Sequence, residues 1–184
     1  RSDRMAVPNH AAVHMSEEIM NNRVTIVCVA LIAAAMVLST AAPASAKVIG
    51  KDAKFGVGLG GGALTSGLTA KMYLSDSTAV QAVAGITGWG VSFGADFIKE
   101  FGSLFDHRLG TLKWGVGGGA GVVLYSVGTY SSTIIGISGV VQLSWHFKSF
   151  PLEIVTDWRP TYFIGDYIGG VYLGGGGGAI RYYF

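Results

Sequence analysis

The sequence predicts an all-β fold: an eight-stranded antiparallel up-and-down transmembrane β-barrel, preceded by a cleaved signal peptide. Three observations predict it. Apolar residues recur with a period of two in eight segments, the signature of strands. The positions between them are mostly Gly, Ser and Thr rather than charge. The chain then closes on Ala179-Ile180-Arg181-Tyr182-Tyr183-Phe184, an alternating strand that stops on an aromatic. A barrel in lipid needs such a strand, because its last strand must pair with its first and leave no open edge.

The elements follow in order. Met20-Asn21-Asn22-Arg23 is a short basic segment, Val24 to Leu38 an apolar run, and Ala44-Ser45-Ala46 a small-residue motif before Lys47. That is the layout of a secretory signal peptide. The apolar run falls short of the roughly 20 residues of a spanning helix, so an N-terminal anchor is the weaker alternative. The expected division is an upstream segment 1–19 with no usable pattern, a signal peptide 20–46 whose cleavage site is marked by Ala44 and Ala46, and a barrel domain 47–184. Cys28 is the single cysteine and lies inside the signal after Val27, so neither a lipid anchor nor a disulfide is expected. Residues 47–184 hold ten Lys and Arg against eight Asp and Glu. That near-neutral balance offers no basic patch for nucleic acid.

The first four strands are expected at Lys54 to Gly62, Leu68 to Leu74, Ala79 to Gly88 and Val91 to Lys99. On the first, Phe55, Val57 and Leu59 alternate with three glycines. The last four are expected at Thr111 to Ser126, Ile134 to Phe147, Leu152 to Arg159 and Tyr167 to Phe184. Gly115, Gly117, Gly119 and Gly121 form nearly all of the polar face of the fifth. Segments of about 9 to 11 residues suit a tilted membrane strand. Ser75 to Thr78 and Lys148 to Pro151 read as short turns at one end. Val127 to Thr133 and Pro160 to Asp166 read as longer outward loops at the other. The turn from Gly102 to Gly110 is long for the short-turn end.

A soluble barrel with an apolar core would show the same alternation. Its wet face would carry about a quarter charged residues, which this chain lacks. The outward aromatics also gather at strand ends: Phe55, Phe97, Trp114, Trp145, Phe147, Tyr182 and Phe184 at one level, Trp158 nearer the other. This reads as a girdle at the headgroups. With its leader, eight segments and terminal Phe184, the chain resembles the small eight-stranded outer-membrane barrels of Gram-negative bacteria, the group of outer membrane proteins A and X. The resemblance implies an outer-membrane location among its lipids and a monomer. It also implies a barrel-assembly machinery that reads Tyr182 and Phe184.

The inward face is expected to hold Lys71, Lys113, Arg159 and Arg181 against Asp96, Glu153 and Asp157. Charge inside such a barrel is costly unless paired, so a network of ion pairs is expected. It acts either as a plug or as the constriction of a narrow pore. Glu153 and Asp157 lie about 13 Å apart by strand rise, too far to work as an acid–base pair. Inward glycines leave room either for Tyr73, Tyr125, Tyr183 and Arg181 to cross the lumen, or for water or a ligand. None of the Gly runs is a phosphate loop, because no helix follows. His146 is expected inward near the rim, and His146-Phe147-Lys148-Ser149 is one residue longer than the His-x-Ser pair of lipid-modifying barrels. No metal spacing is present. The expected function is structural or surface-interactive, with no catalysis, no metal, no cofactor and an external partner left open. The alternatives are a narrow pore or small-ligand carrier, a lipid-modifying enzyme, and a secreted soluble barrel that binds an apolar ligand.

Overall fold

Alternation becomes strand throughout. A computed structural model describes residues 48–62, 64–87, 90–127, 130–165 and 169–184. The segments 1–19 and 20–46, with Ala44 and Ala46, lie outside them. All regular structure among the described residues is β: β1 (Phe55–Gly61), β2 (Ser66–Ser75), β3 (Thr78–Thr87), β4 (Gly90–Asp106), β5 (Gly110–Val127), β6 (Tyr130–Phe147), β7 (Leu152–Trp158), β8 (Thr161–Gly165), β9 (Gly170–Tyr172) and β10 (Gly176–Tyr183). Neighbours pair antiparallel from β1 round to β7, β7 pairs β10, and β10 returns to β1. β8 and β9 prolong β7 and β10, with β8 on the far half of β6. The result is a closed eight-stranded antiparallel barrel of up-and-down topology.

Closure lies where the C-terminal alternation placed it. Gly56 faces Tyr183 and Gly61 faces Gly178 across the β1–β10 ladder. The Phe184 N–H donates to the Phe55 carbonyl at 2.9 Å. This end, which also holds residues 48–53, is called the near mouth below; the opposite end is the far mouth.

The two faces of the wall are sorted in the opposite sense to a water-soluble domain. Ile137 and Ile180 are 56% and 54% exposed, whereas Lys71, Gln142 and Glu153 are 0% exposed. Parity does this. Successive side chains on a strand point to opposite faces, so Leu68, Ala70 and Met72 face out while Thr69, Lys71 and Tyr73 face in and are buried.

Three segments depart from the expected pattern. β4 continues seven residues past Lys99, and β5 begins at Gly110, so the expected long turn is a projecting hairpin. Register shifts between Glu100 and Ser103 and between Ser103 and Phe105 break the parity there, which is why alternation ends early in the sequence. The expected outward loop 127–133 is mostly strand, with β5 reaching Val127 and β6 starting at Tyr130. The expected loop 160–166 likewise holds β8. Pro160 lacks a donor, so the strand lapses at Arg159 and Pro160, and β8 resumes on β6 in unchanged register. The last stave shifts register at the same height, over residues 173–175, where Gly175 accepts from the Arg159 N–H at 2.9 Å.

The chain folds into the lumen toward both mouths. At the near mouth, Ile49 and Ala53 are buried against Tyr73, Ala79 and Tyr183. The Tyr183 ring lies on Gly56, where any Cβ would come within 2.7 Å of it. Toward the far mouth, the connection between β1 and β2 folds inward. Leu64 crosses to Gly121 and Gly136 on the opposite wall, and a Cβ on Gly121 would meet its Cδ1 at 3.2 Å. Thr65, on the same connection, is buried.

Candidate functional site

The charged lumen is the candidate site, and it forms one continuous chain of contacts. Parity on β2, β7 and β10 turns Lys71, Glu153 and Arg181 inward, and the register stacks Lys71 beside Gly56 and Arg181 beside Glu153. Lys71 Nζ bridges two carboxylates, 2.5 Å from Glu100 Oε1 and 2.7 Å from Glu153 Oε1. Glu153 Oε2 accepts from Arg181 at 3.1 Å and from the Tyr183 hydroxyl at 2.8 Å. Tyr73 donates to Glu100 at 2.7 Å. Lys113 stands at the edge, 3.8 Å from Glu100 Oε2 and 23% exposed.

Arg181 also donates to Thr69 Oγ1 and to Gln81 Oε1, the latter at 3.0 Å. Gln81 passes the chain onward, its Nε2 donating to Asp96 Oδ2 at 2.9 Å. Arg159 then ties Asp96 at 2.9 Å to Asp157 at 2.7 Å. Lys71, Lys113, Arg159 and Arg181 thus balance Asp96, Glu100, Glu153 and Asp157. Every carboxylate has a cation within 4 Å, which is what buried charge requires.

All seven charged residues singled out in the sequence line the lumen. They fall into two layers: Lys71, Lys113, Glu153 and Arg181 near the near mouth, and Asp96, Asp157 and Arg159 further out. Glu100 was missed, because the expected strand stopped at Lys99. Continuing the even positions of Ser92, Gly94 and Asp96 would have found it. Gln81, the link between layers, carried no charge to mark it. Strand five has room for this network because Ile98 and Asp96 from β4 lean over Gly117 and Gly119. Tyr73 and Tyr183 turn into the lumen, and Tyr125 is half-buried.

A cavity of about 40 Å³ lies between Leu64, Thr65, Gln81, Asp96, Arg159 and Arg181, enough for about three waters at the 10–15 Å³ each needs.

His146 is buried on the same wall, with Nε2 3.3 Å from Glu153 Oε1 but not aligned as a hydrogen bond. With Glu100 and Glu153 it forms a cluster whose ligand atoms lie within 4.8 Å of one another. Three separate strands supply it, so spacing along the sequence could not reveal it. Lys71 Nζ sits between the two carboxylates, and the ammonium is the cation they hold. Ser144 is buried, and its Oγ has no hydrogen-bond partner among the described residues, His146 included. Ser149 is exposed. His146 thus holds no serine hydroxyl among the described residues, the contact that would activate one.

The girdle aromatics all stand on the outward face. Tyr182 and Phe184 meet edge to face at 5.3 Å, and Trp145 and Phe147 at 6.4 Å. Trp114 stacks at 4.5 Å on Phe101, which lies past the expected end of the fourth strand at Lys99. Phe55 and Phe97 share one row across β1 to β4, through Met72 and Val80. Trp158 lies apart, its indole N–H donating to the Leu173 carbonyl at 2.7 Å.

No family model, curated protein or solved structure matches the chain.

Proposed function

We propose that the chain is a small monomeric outer-membrane barrel of the Gram-negative kind, exported by its leader, sealed along its lumen, and structural or surface-interactive in role. One observation carries this reading: a largely apolar outer wall encloses a charge-balanced interior among the described residues. Such a wall costs free energy in water, at roughly 25 cal/mol per Å² of apolar surface, and nothing in hydrocarbon. The interior supports a plug rather than a pore or an enzyme, since Ile49 stops one mouth, Leu64 crosses near the other, and each carboxylate is already engaged. Strand pairing of Tyr182 and Phe184 with β1 fits recognition of that strand during assembly.

The test is a gel of detergent-extracted protein, boiled and unboiled. Faster migration of the unboiled sample is the expected result. Recovery in the soluble fraction with no heat shift would overturn the reading in favour of the soluble barrel. An altered lipid A mass on overexpression would instead favour the lipid-modifying enzyme.

A further inference from the structure

The hairpin between β4 and β5 has no role in the sealed lumen. β3 ends at Thr78, opposite Lys99, and the Glu100 N–H makes the last bond to that side, to the Ser77 carbonyl at 2.7 Å. Beyond it, β4 runs on through residues 101–106 with only β5 beside it among the described residues, and β5 in turn is backed by β6. The three strand ends form a tongue at the near mouth.

Its outward face is aromatic and continuous with the barrel wall. Phe101 stacks on Trp114 and Phe147 on Phe150, at 4.5 and 4.8 Å. Leu104, Phe105 and Leu109 are each more than half exposed. Around this face stand Lys99, Arg108 and Lys148 against Asp106, with Asp76 on the turn that carries Ser77 and Thr78. Lys148 holds Asp106 at 2.7 Å. Lys99 donates only to the hydroxyls of Ser77 and Thr78, and Arg108 has no partner among the described residues.

The contrast with the far mouth is sharp. No described residue there beyond the Asp96–Arg159 layer is charged. On β4, Val91 to Lys99 already has the roughly 9 residues of a membrane strand, so the tongue extends past the hydrocarbon. Aromatic rings mixed with unpaired cations are the chemistry of a headgroup layer.

We propose that this tongue lies in the headgroup layer of the bilayer and binds anionic phospholipid headgroups through Arg108, Lys148 and Lys99. The inference rests on the membrane reading above. Addition of a partner protein's strand to the free β4 edge is disfavoured, because the two register shifts at residues 100–105 interrupt the row of groups such a strand would need.

The test uses the full chain in nanodiscs of phosphatidylcholine, alone or mixed with phosphatidylglycerol, with amide hydrogen exchange as the readout. Exchange over residues 101–112 is expected to slow on adding phosphatidylglycerol, while residues 116–124 stay protected in both. Arg108→Gln and Lys148→Ser should each reverse about fivefold of that protection, the effect of one cation at an anionic surface. High salt should reverse it as well. Equal exchange in both discs, with the heat shift intact, would overturn the tongue proposal and leave the membrane reading standing. Protection appearing only with a periplasmic extract would make the tongue a protein-docking element and overturn it too. Loss of the heat shift itself would remove both readings together.

Discussion

The two halves of the lumen are built on one wall but held by different means. Toward the near mouth, Lys71, Glu100, Glu153 and Arg181 are buried to within 4% of full enclosure, and the β1–β2 and β7–β10 ladders beside them run in true register. Further out, Arg159 spans Asp96 and Asp157 at 12% side-chain exposure beside a small cavity that Arg181 borders from the inner side, and the last stave shifts register at that height. Enclosure makes the difference. A charge that no water can reach depends wholly on its partners, whereas one beside a hydrated cavity can be resolvated when a partner is lost.

Substitutions can break this contrast, most severely in the inner layer. Glu153→Ala leaves Arg181 unpaired and Lys71 with Glu100 alone, so a loss of about 3–5 kcal/mol is expected. Urea titration of the folded barrel in vesicles measures it, and a loss as small as that of a surface pair would dissolve the contrast. Arg159→Met, in the outer layer, should cost less, about 2 kcal/mol, in line with hydrogen bonds to charged groups near water. If the two losses prove equal, burial is not what separates the layers.

Leu64→Ala sharpens the comparison from the other side. The side chain is half-buried on the far wall, so about 1 kcal/mol of stability should go. The stronger signal should be faster proteolysis at the connection between β1 and β2, with the inner layer's hydrogen exchange unchanged.

The smallest effect is expected outside the barrel. The Lys148 ammonium, with help from the Thr111 hydroxyl, holds the Asp106 carboxyl below the usual carboxylate range. A carboxyl depressed in the folded state adds stability above its unfolded value and loses it as pH falls through the folded one. Any contribution should therefore fade only in acid, below roughly pH 4. Carboxyl NMR titration should show Asp106 moving back upward in Lys148→Gln, and an unmoved titration would mean that the pair does not persist in solution.

Much of this architecture was legible because period-two alternation is strict on β1, β2, β3 and most of β5 and β6. Each inward polar residue on those strands can be read by parity alone. Parity failed only after Glu100, where the register shifts hid the tongue. Glu100 itself keeps the parity of Asp96 and was lost with the early strand end, and the turn signal of Pro160 hid β8 although the alternation carries through it. Pairings across the lumen, such as Lys71 with Glu100 or Arg181 with Gln81, depend on shear around the ring, which no single strand records. The inward fold of Leu64 was equally hidden. The glycines that receive it, Gly121 and Gly136, showed only that space existed.

Conductance of the heat-shifted protein in a planar bilayer tests the sealed lumen most directly. The account predicts insertion with no current steps at any voltage, because Ile49 blocks the near mouth, the paired charges fill the middle and Leu64 crosses toward the far one. Reproducible single-channel steps from the folded protein would contradict it and make the same charged residues the wall of a pore.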